Sequence, residues 1–129
     1  MSAEADEGPV TKLVYAILLS ALRKCATDLA VRRVGSRPSV DFVVDFVVDG
    51  AEIEEMRPPL LLHQPLVRRL AVMASLPTYA KGEYAEGTIT LRLADGREAS
   101  FAIRVEGHGD TLAAYLHVLS GSARPGGAA

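Results

Sequence analysis

The apolar positions of this chain change period several times, and each change marks an element. Leu13, Val14, Ile17, Leu18, Ala21, Leu22 and Cys25 recur at steps of one, three and four, one face of a 3.6-residue repeat. They predict a helix from Thr11 to Cys25. The Thr11 hydroxyl is placed to cap it, and Arg23 and Lys24 fall in the last turn, where the helix dipole favours cations. Residues 1–9 before it read as a flexible acidic leader. Ala26 to Val34 reads as a short strand, followed by the turn cluster Gly35-Ser36-Arg37-Pro38. The next segment alternates cleanly. Val40, Phe42, Val44, Phe46 and Val48 take one side; Asp41, Val43, Asp45, Val47 and Asp49 take the other, as a strand's period of two requires. Asp49-Gly50 predicts a tight turn, with Ala51 to Met56 folding back as the hairpin partner.

Pro58-Pro59 closes that hairpin. Leu66, Val67, Leu70, Met73 and Ala74 then predict a second helix over Pro65 to Leu76, opened by Pro65 and stopped by Pro77, with Arg68, Arg69 and Ser75 outward. Tyr79 to Glu86 reads as a loop. Ile89, Leu91 and Leu93 alternate with Thr88, Thr90 and Arg92, and Ala99, Phe101, Ile103 and Val105 with Ser100, Ala102 and Arg104, around a turn at residues 94–97. Gly107 to Asp110 is a further turn, Thr111 to Leu119 a last strand, and residues 121–129 a flexible tail. The order is α-βββ-α-βββ. Short links imply antiparallel pairing, so the predicted class is α+β, two amphipathic helices packed on antiparallel sheet within one domain over residues 10–120.

Composition narrows the function. At 129 residues the chain suits one domain with a real core. An apolar share of 49% with 23% charged residues excludes a wholly disordered chain. A net charge of -2 supplies no global positive field for nucleic acid. The single cysteine, Cys25, excludes an intrachain disulfide or a cysteine-cluster zinc site and reads as a small buried hydrophobe. No secretory signal or membrane-length apolar run is visible, so a cytoplasmic location is expected.

Candidate chemistry is sparse. No phosphate loop occurs, and His63, His108 and His117 lack metal-site spacing. Asp41, Asp45 and Asp49 share a strand face, but four residues of strand rise about 13 Å, too far for one cation; a solvated, aggregation-resistant face is the reading. Arg32, Arg33 and Arg37 near one turn and Arg68 and Arg69 on the second helix read either as anion-contacting patches or as solubilising charge. His108, between two glycines, is a turn histidine suited to a surface contact. Tyr15 and Tyr115 read as core or interface aromatics. No catalytic residue, cofactor or metal is expected.

Several segments, in order, resemble the PAS-like N-terminal subdomain that precedes the motor half of type II secretion and type IV pilus assembly ATPases. Residues 26–33, Ala-Thr-Asp-Leu-Ala-Val-Arg-Arg, stand where that family has Ala-Ser-Asp-Ile-His-Ile-Glu-Pro. Val47-Val48-Asp49-Gly50 is similar to its Arg-Ile-Asp-Gly, and residues 69–76, Arg-Leu-Ala-Val-Met-Ala-Ser-Leu, to its Arg-Ile-Lys-Val-Met-Ala-x-Leu. Ala85-Glu86-Gly87-Thr88-Ile89 resembles Gln-Asp-Gly-Arg-Ile, and Arg104-Val105 and His108-Gly109-Asp110 echo Arg-Val-Ser and His-Gly-Glu. The likeness spans residues 10–119. Ala30 replaces a histidine, Val47 an arginine, and Glu83 and Thr88 stand at arginine positions; Arg104 alone survives. In the family such arginines reach toward nucleotide held by the motor half. Methyls and carboxylates there cannot neutralise phosphate. The resemblance therefore implies the fold with loss of ATP chemistry: a non-enzymatic interaction or regulatory module that self-associates or binds a motor or assembly component. Val43 and Val47, as exposed apolar groups, with Arg68, Arg69, Arg104 and His108, are the candidate interface residues. The alternative implied is a PAS-like small-molecule or nucleotide sensor with its ligand between sheet and helix.

Overall fold

The computed structural model describes residues 2–36, 38–76 and 84–122, with side chains from residue 8 onward. Helix α1 spans Ser2–Arg23, strands β1 Asp28–Val34, β2 Asp41–Val48 and β3 Ala51–Met56, a 3-10 turn Leu60–Leu62, helix α2 His63–Met73, β4 Ala85–Arg92, β5 Glu98–Glu106, a second 3-10 turn Gly109–Thr111, and β6 Ala113–Ser120. The six strands form one antiparallel sheet in the order β3-β2-β1-β6-β5-β4. The first and last strands therefore lie side by side at its centre, with Leu29 opposite Leu116 and Val31 opposite Ala114. The two βββ units are not copies of one arrangement, since β1 is central whereas β4 is an edge.

Both helices cover the same face. Leu29 and Val31 of β1, Phe42, Val44 and Phe46 of β2, Ile89 and Leu91 of β4, and Ala99, Phe101, Ile103 and Val105 of β5 join one buried cluster with Val14, Ile17, Leu18, Leu66, Val67 and Leu70 of the helices. Each of these strands contributes every second residue, and each helix one stripe, which is what the two periods require. The exposed edge strand β3 carries Glu52 and Glu54, charges that oppose pairing with another chain. Glu55 of the same strand accepts from Ser20 Oγ at 3.0 Å and Lys24 Nζ at 2.7 Å, tying β3 to α1.

Strands β1 and β6 each start two residues later than expected and β4 begins at Ala85, within the expected loop; all four helix ends also differ. The backbone of α1 is helical from Ser2, so the expected leader is part of the helix and Thr11 lies inside it, not at a cap. Pro9 lies inside the helix, where it costs one backbone bond while keeping a helical φ. At the other end α1 stops before Cys25, which takes φ +57°. The Ala26 N–H donates to the Ala21 carbonyl and the Cys25 N–H to that of Leu22, a left-handed cap usually given to glycine. Cys25 is thus half-buried at a helix end, not a core group. Helix α2 begins two residues before Pro65, tolerable because the first N–H groups of a helix have no internal partner. It ends early because Ser75, at φ +59°, makes the same kind of cap, with the Leu76 N–H donating to the Ala71 carbonyl at 2.8 Å. The stop expected at Pro77, most of the loop after it and most of the tail lie outside the described residues.

Candidate functional site

The sheet face turned away from the helices gathers several of the residues marked in the sequence. Across it, one row runs Asp45, Ala30, Tyr115, Arg104 and Glu86 on β2, β1, β6, β5 and β4; the adjacent row runs Val47, Asp28, His117, Ala102 and Thr88. Several of its polar side chains are paired. Arg32 Nη2 donates to Asp45 Oδ2 at 3.0 Å. His117 Nδ1 lies 2.9 Å from Asp28 Oδ1. Arg104 Nε meets Glu106 Oε1 at 3.1 Å, with its guanidinium carbon 5.2 Å from the centroid of the Tyr115 ring, a cation–π distance. Asp28, Glu86, Ala102, Arg104, Tyr115 and His117 border an open cleft of about 370 Å³.

The expected interface residues do not form one surface. Val43, Val47 and Arg104 share the helix-free face, but Arg104 is three strands from the valines, about 14 Å at the usual spacing. Arg68 and Arg69 lie on α2 in the other layer, and His108 precedes the second 3-10 turn, where its N–H donates to Thr111 Oγ1 at 3.1 Å. Val43 is not exposed as expected: it is 4% accessible, and Val47 is half-buried. Arg32 sits directly opposite Val43 and reaches Asp45 two residues along β2, so its aliphatic stem runs beside the valine. The arginines near the first turn also separate. Consecutive strand residues face opposite ways, so Arg32 lies on the helix-free face, while Arg33 clamps the second 3-10 turn through Asp110 at 2.6 Å. Arg37 lies outside the described residues.

His63, given no role from the sequence, is a buried polar link. It is 2% accessible, and its Nε2 lies 2.6 Å from the Leu112 carbonyl, so that nitrogen carries the proton and donates. Its ring stands edge-on to Phe42, 5.4 Å between centroids. Burial holds its pKa below the ordinary value of 6.5, the carbonyl bond raises it in part, and Arg33 adds to the lowering. The signal was present: His63, Leu66, Val67, Leu70 and Ala71 form one helical stripe, and the histidine continues it by one turn upstream.

An α+β sheet domain with this helix order, and with the family-like segments of β1, β2, α2, β4 and β5 in sequence, defines a class of secretion-machine subdomain. The model of the type II/IV secretion system protein family matches residues 3–107, and the chain belongs to that family. It is 37% identical over 105 residues to the type IV pilus assembly ATPase PilB of Myxococcus xanthus, covering 81% of this chain and 18% of that protein. It is 35% identical over 100 residues to the type II secretion system protein E of Pseudomonas aeruginosa, 78% of this chain and 19% of that one. The type II secretion system protein HxcR of the same organism is 32% identical over 113 residues, 86% of this chain and 23% of that one. The chain thus spans about a fifth of the length of the curated relatives it matches. Among the described residues, no helix is long and apolar enough to cross a membrane.

Proposed function

We propose that this chain is a non-catalytic association module of the type II secretion and type IV pilus machinery, acting in the cytoplasm on a motor or assembly component or on its own kind. One observation carries the reading. Ala30, Val47 and Thr88, at positions where the resembling family has histidine or arginine, and Arg104, the retained one, all fall on the helix-free sheet face. Four strands thus supply, on one face, the positions whose cationic groups the resemblance implies would reach toward nucleotide. Here Arg104 lies against Glu106 and Arg32 against Asp45, so a neighbouring carboxylate already offsets part of each guanidinium's charge and would repel phosphate. The face suits a protein contact better than a polyphosphate. A sensor role would place a ligand between sheet and helices, but Phe42, Phe46, Phe101, Leu18, Leu66 and Ile89 fill that layer, and no observation draws a ligand there.

The test is calorimetric titration of the purified chain into a secretion or pilus ATPase of its own organism, with hydrolysis followed in parallel and mass measured by light scattering. Saturable binding or self-association without hydrolysis by the chain alone is expected. Unaided turnover of nucleoside triphosphate, or a monomer that binds neither itself nor the ATPase, refutes the proposal.

A further inference from the structure

On the opposite layer, the first 3-10 turn and α2 carry an apolar stripe that faces away from the core. Leu61 is 78% accessible, Leu60 43% and Val72 53%. Leu61, Pro65, Arg68 and Val72 follow one another at steps of three and four, and with Val10 of α1 they line a groove of about 490 Å³. From Leu61 to Val72 the stripe runs about 16 Å, three turns of helix. Apolar residues this exposed and this contiguous mark a contact surface.

Charge indicates what covers it. Arg32, Arg33, Arg57, Arg92, Arg97 and Arg104 each lie against a carboxylate. Among the described residues Arg68 instead meets only the neutral Gln64 Oε1, to which it donates at 3.0 Å in the middle of the apolar stripe. Its charge is therefore available to a carboxylate brought by an occupant. A second copy fits poorly, because a two-fold contact centred on the stripe sets Arg68 against Arg68. A bilayer surface fits poorly too, because Leu61 flanks a concavity bounded by another helix, which a convex insert fills and a flat surface does not. We infer that the groove between α1, the 3-10 turn and α2 takes an amphipathic helix of a partner protein, with leucine-like anchors in the groove and a carboxylate on Arg68. This names a surface and a partner chemistry for the association role, and rests on that role for its biological meaning.

The test uses the full chain and two synthetic helical peptides, followed by fluorescence anisotropy. One carries leucines at i, i+4 and i+7 flanked by glutamates; the other has lysine for each glutamate. The glutamate peptide should bind about fivefold more tightly. Arg68→Glu should reverse that order. Leu61→Asp should weaken binding at least about tenfold with an unchanged melting curve, since Leu61 supports no core. Equal binding of both peptides, a ranking indifferent to Arg68→Glu, or Leu61-dependent binding to phosphatidylglycerol vesicles without peptide binding each overturns the inference. So does a homodimer that Leu61→Asp dissociates. A chain that binds the ATPase but ignores the peptides sinks the groove alone. One that binds the glutamate peptide but neither the ATPase nor a second copy of itself sinks the earlier proposal alone.

Discussion

Replacing His63 with leucine tests the packing argument where it is most exposed to failure. The ring joins α2 to the segment entering β6 through the Leu112 carbonyl and packs edge-on against Phe42 of β2. Leucine fills a similar volume but donates nothing. Leaving the buried carbonyl without its partner costs about 1–3 kcal/mol, and the lost edge contact about 0.5–1.5 kcal/mol. Burying a leucine offsets about 1–2 kcal/mol. At pH 7.5 the His63→Leu variant should therefore be less stable by about 1–2 kcal/mol.

Acid changes that gap in a definite direction. The folded protein holds the His63 pKa below 6.5, chiefly by burial, whereas the unfolded chain titrates near the ordinary value. As pH falls through 6.5 the unfolded state takes up the proton first, so the wild type loses stability, by at most about 1.4 kcal/mol per pH unit for one proton. The leucine variant has no such proton. The difference between the two should shrink on acidification, and comparing them isolates His63. Urea unfolding of both proteins at half-unit steps from pH 7.5 to 5.5 measures this. A gap that stays constant or widens would refute the buried, neutral, hydrogen-bonded assignment.

Other substitutions probe other links. Ser75→Gly should stabilise by about 1 kcal/mol, because the α2 cap holds a left-handed φ that glycine adopts without cost; a lower melting temperature would contradict the cap. Glu55→Ala should cost about 1 kcal/mol, mostly by stranding the buried Ser20 hydroxyl, since the Lys24 partner is half exposed; urea midpoints decide it. Leu29→Ala, at the β1–β6 seam and 2% accessible, should cost about 2–5 kcal/mol and expose amides on both central strands to hydrogen exchange. Loss of protection confined to β1 would contradict the central pairing.

The elements themselves were legible because their causes are local. The period-two run from Phe42 to Val48, the Asp49-Gly50 turn and the stripe of α2 each depend on neighbours within a few residues, so strand, hairpin and helix could be read from spacing. Helix ends were less legible. Both end on non-glycine residues at positive φ, Cys25 and Ser75, where side-chain identity offers no cue. Alternation separated the two sides of β2 correctly, yet could not say that Arg32 would bury Val43, because that depends on which strand lies beside it.

What only the tertiary structure decided is everything that joins distant segments. The likeness to the secretion ATPases was carried by residues in order along the chain, and the comparisons bear it out. That Ala30, Val47, Thr88 and Arg104 share one face follows from sheet order, which no local period encodes. Asp28 and His117 meet across 89 positions, and His63 finds Leu112 across 49. Local preference weighs a few dihedral angles at a time. Strand order is chosen by burying one continuous apolar layer under both helices, a sum over the whole chain that places the first strand beside the last.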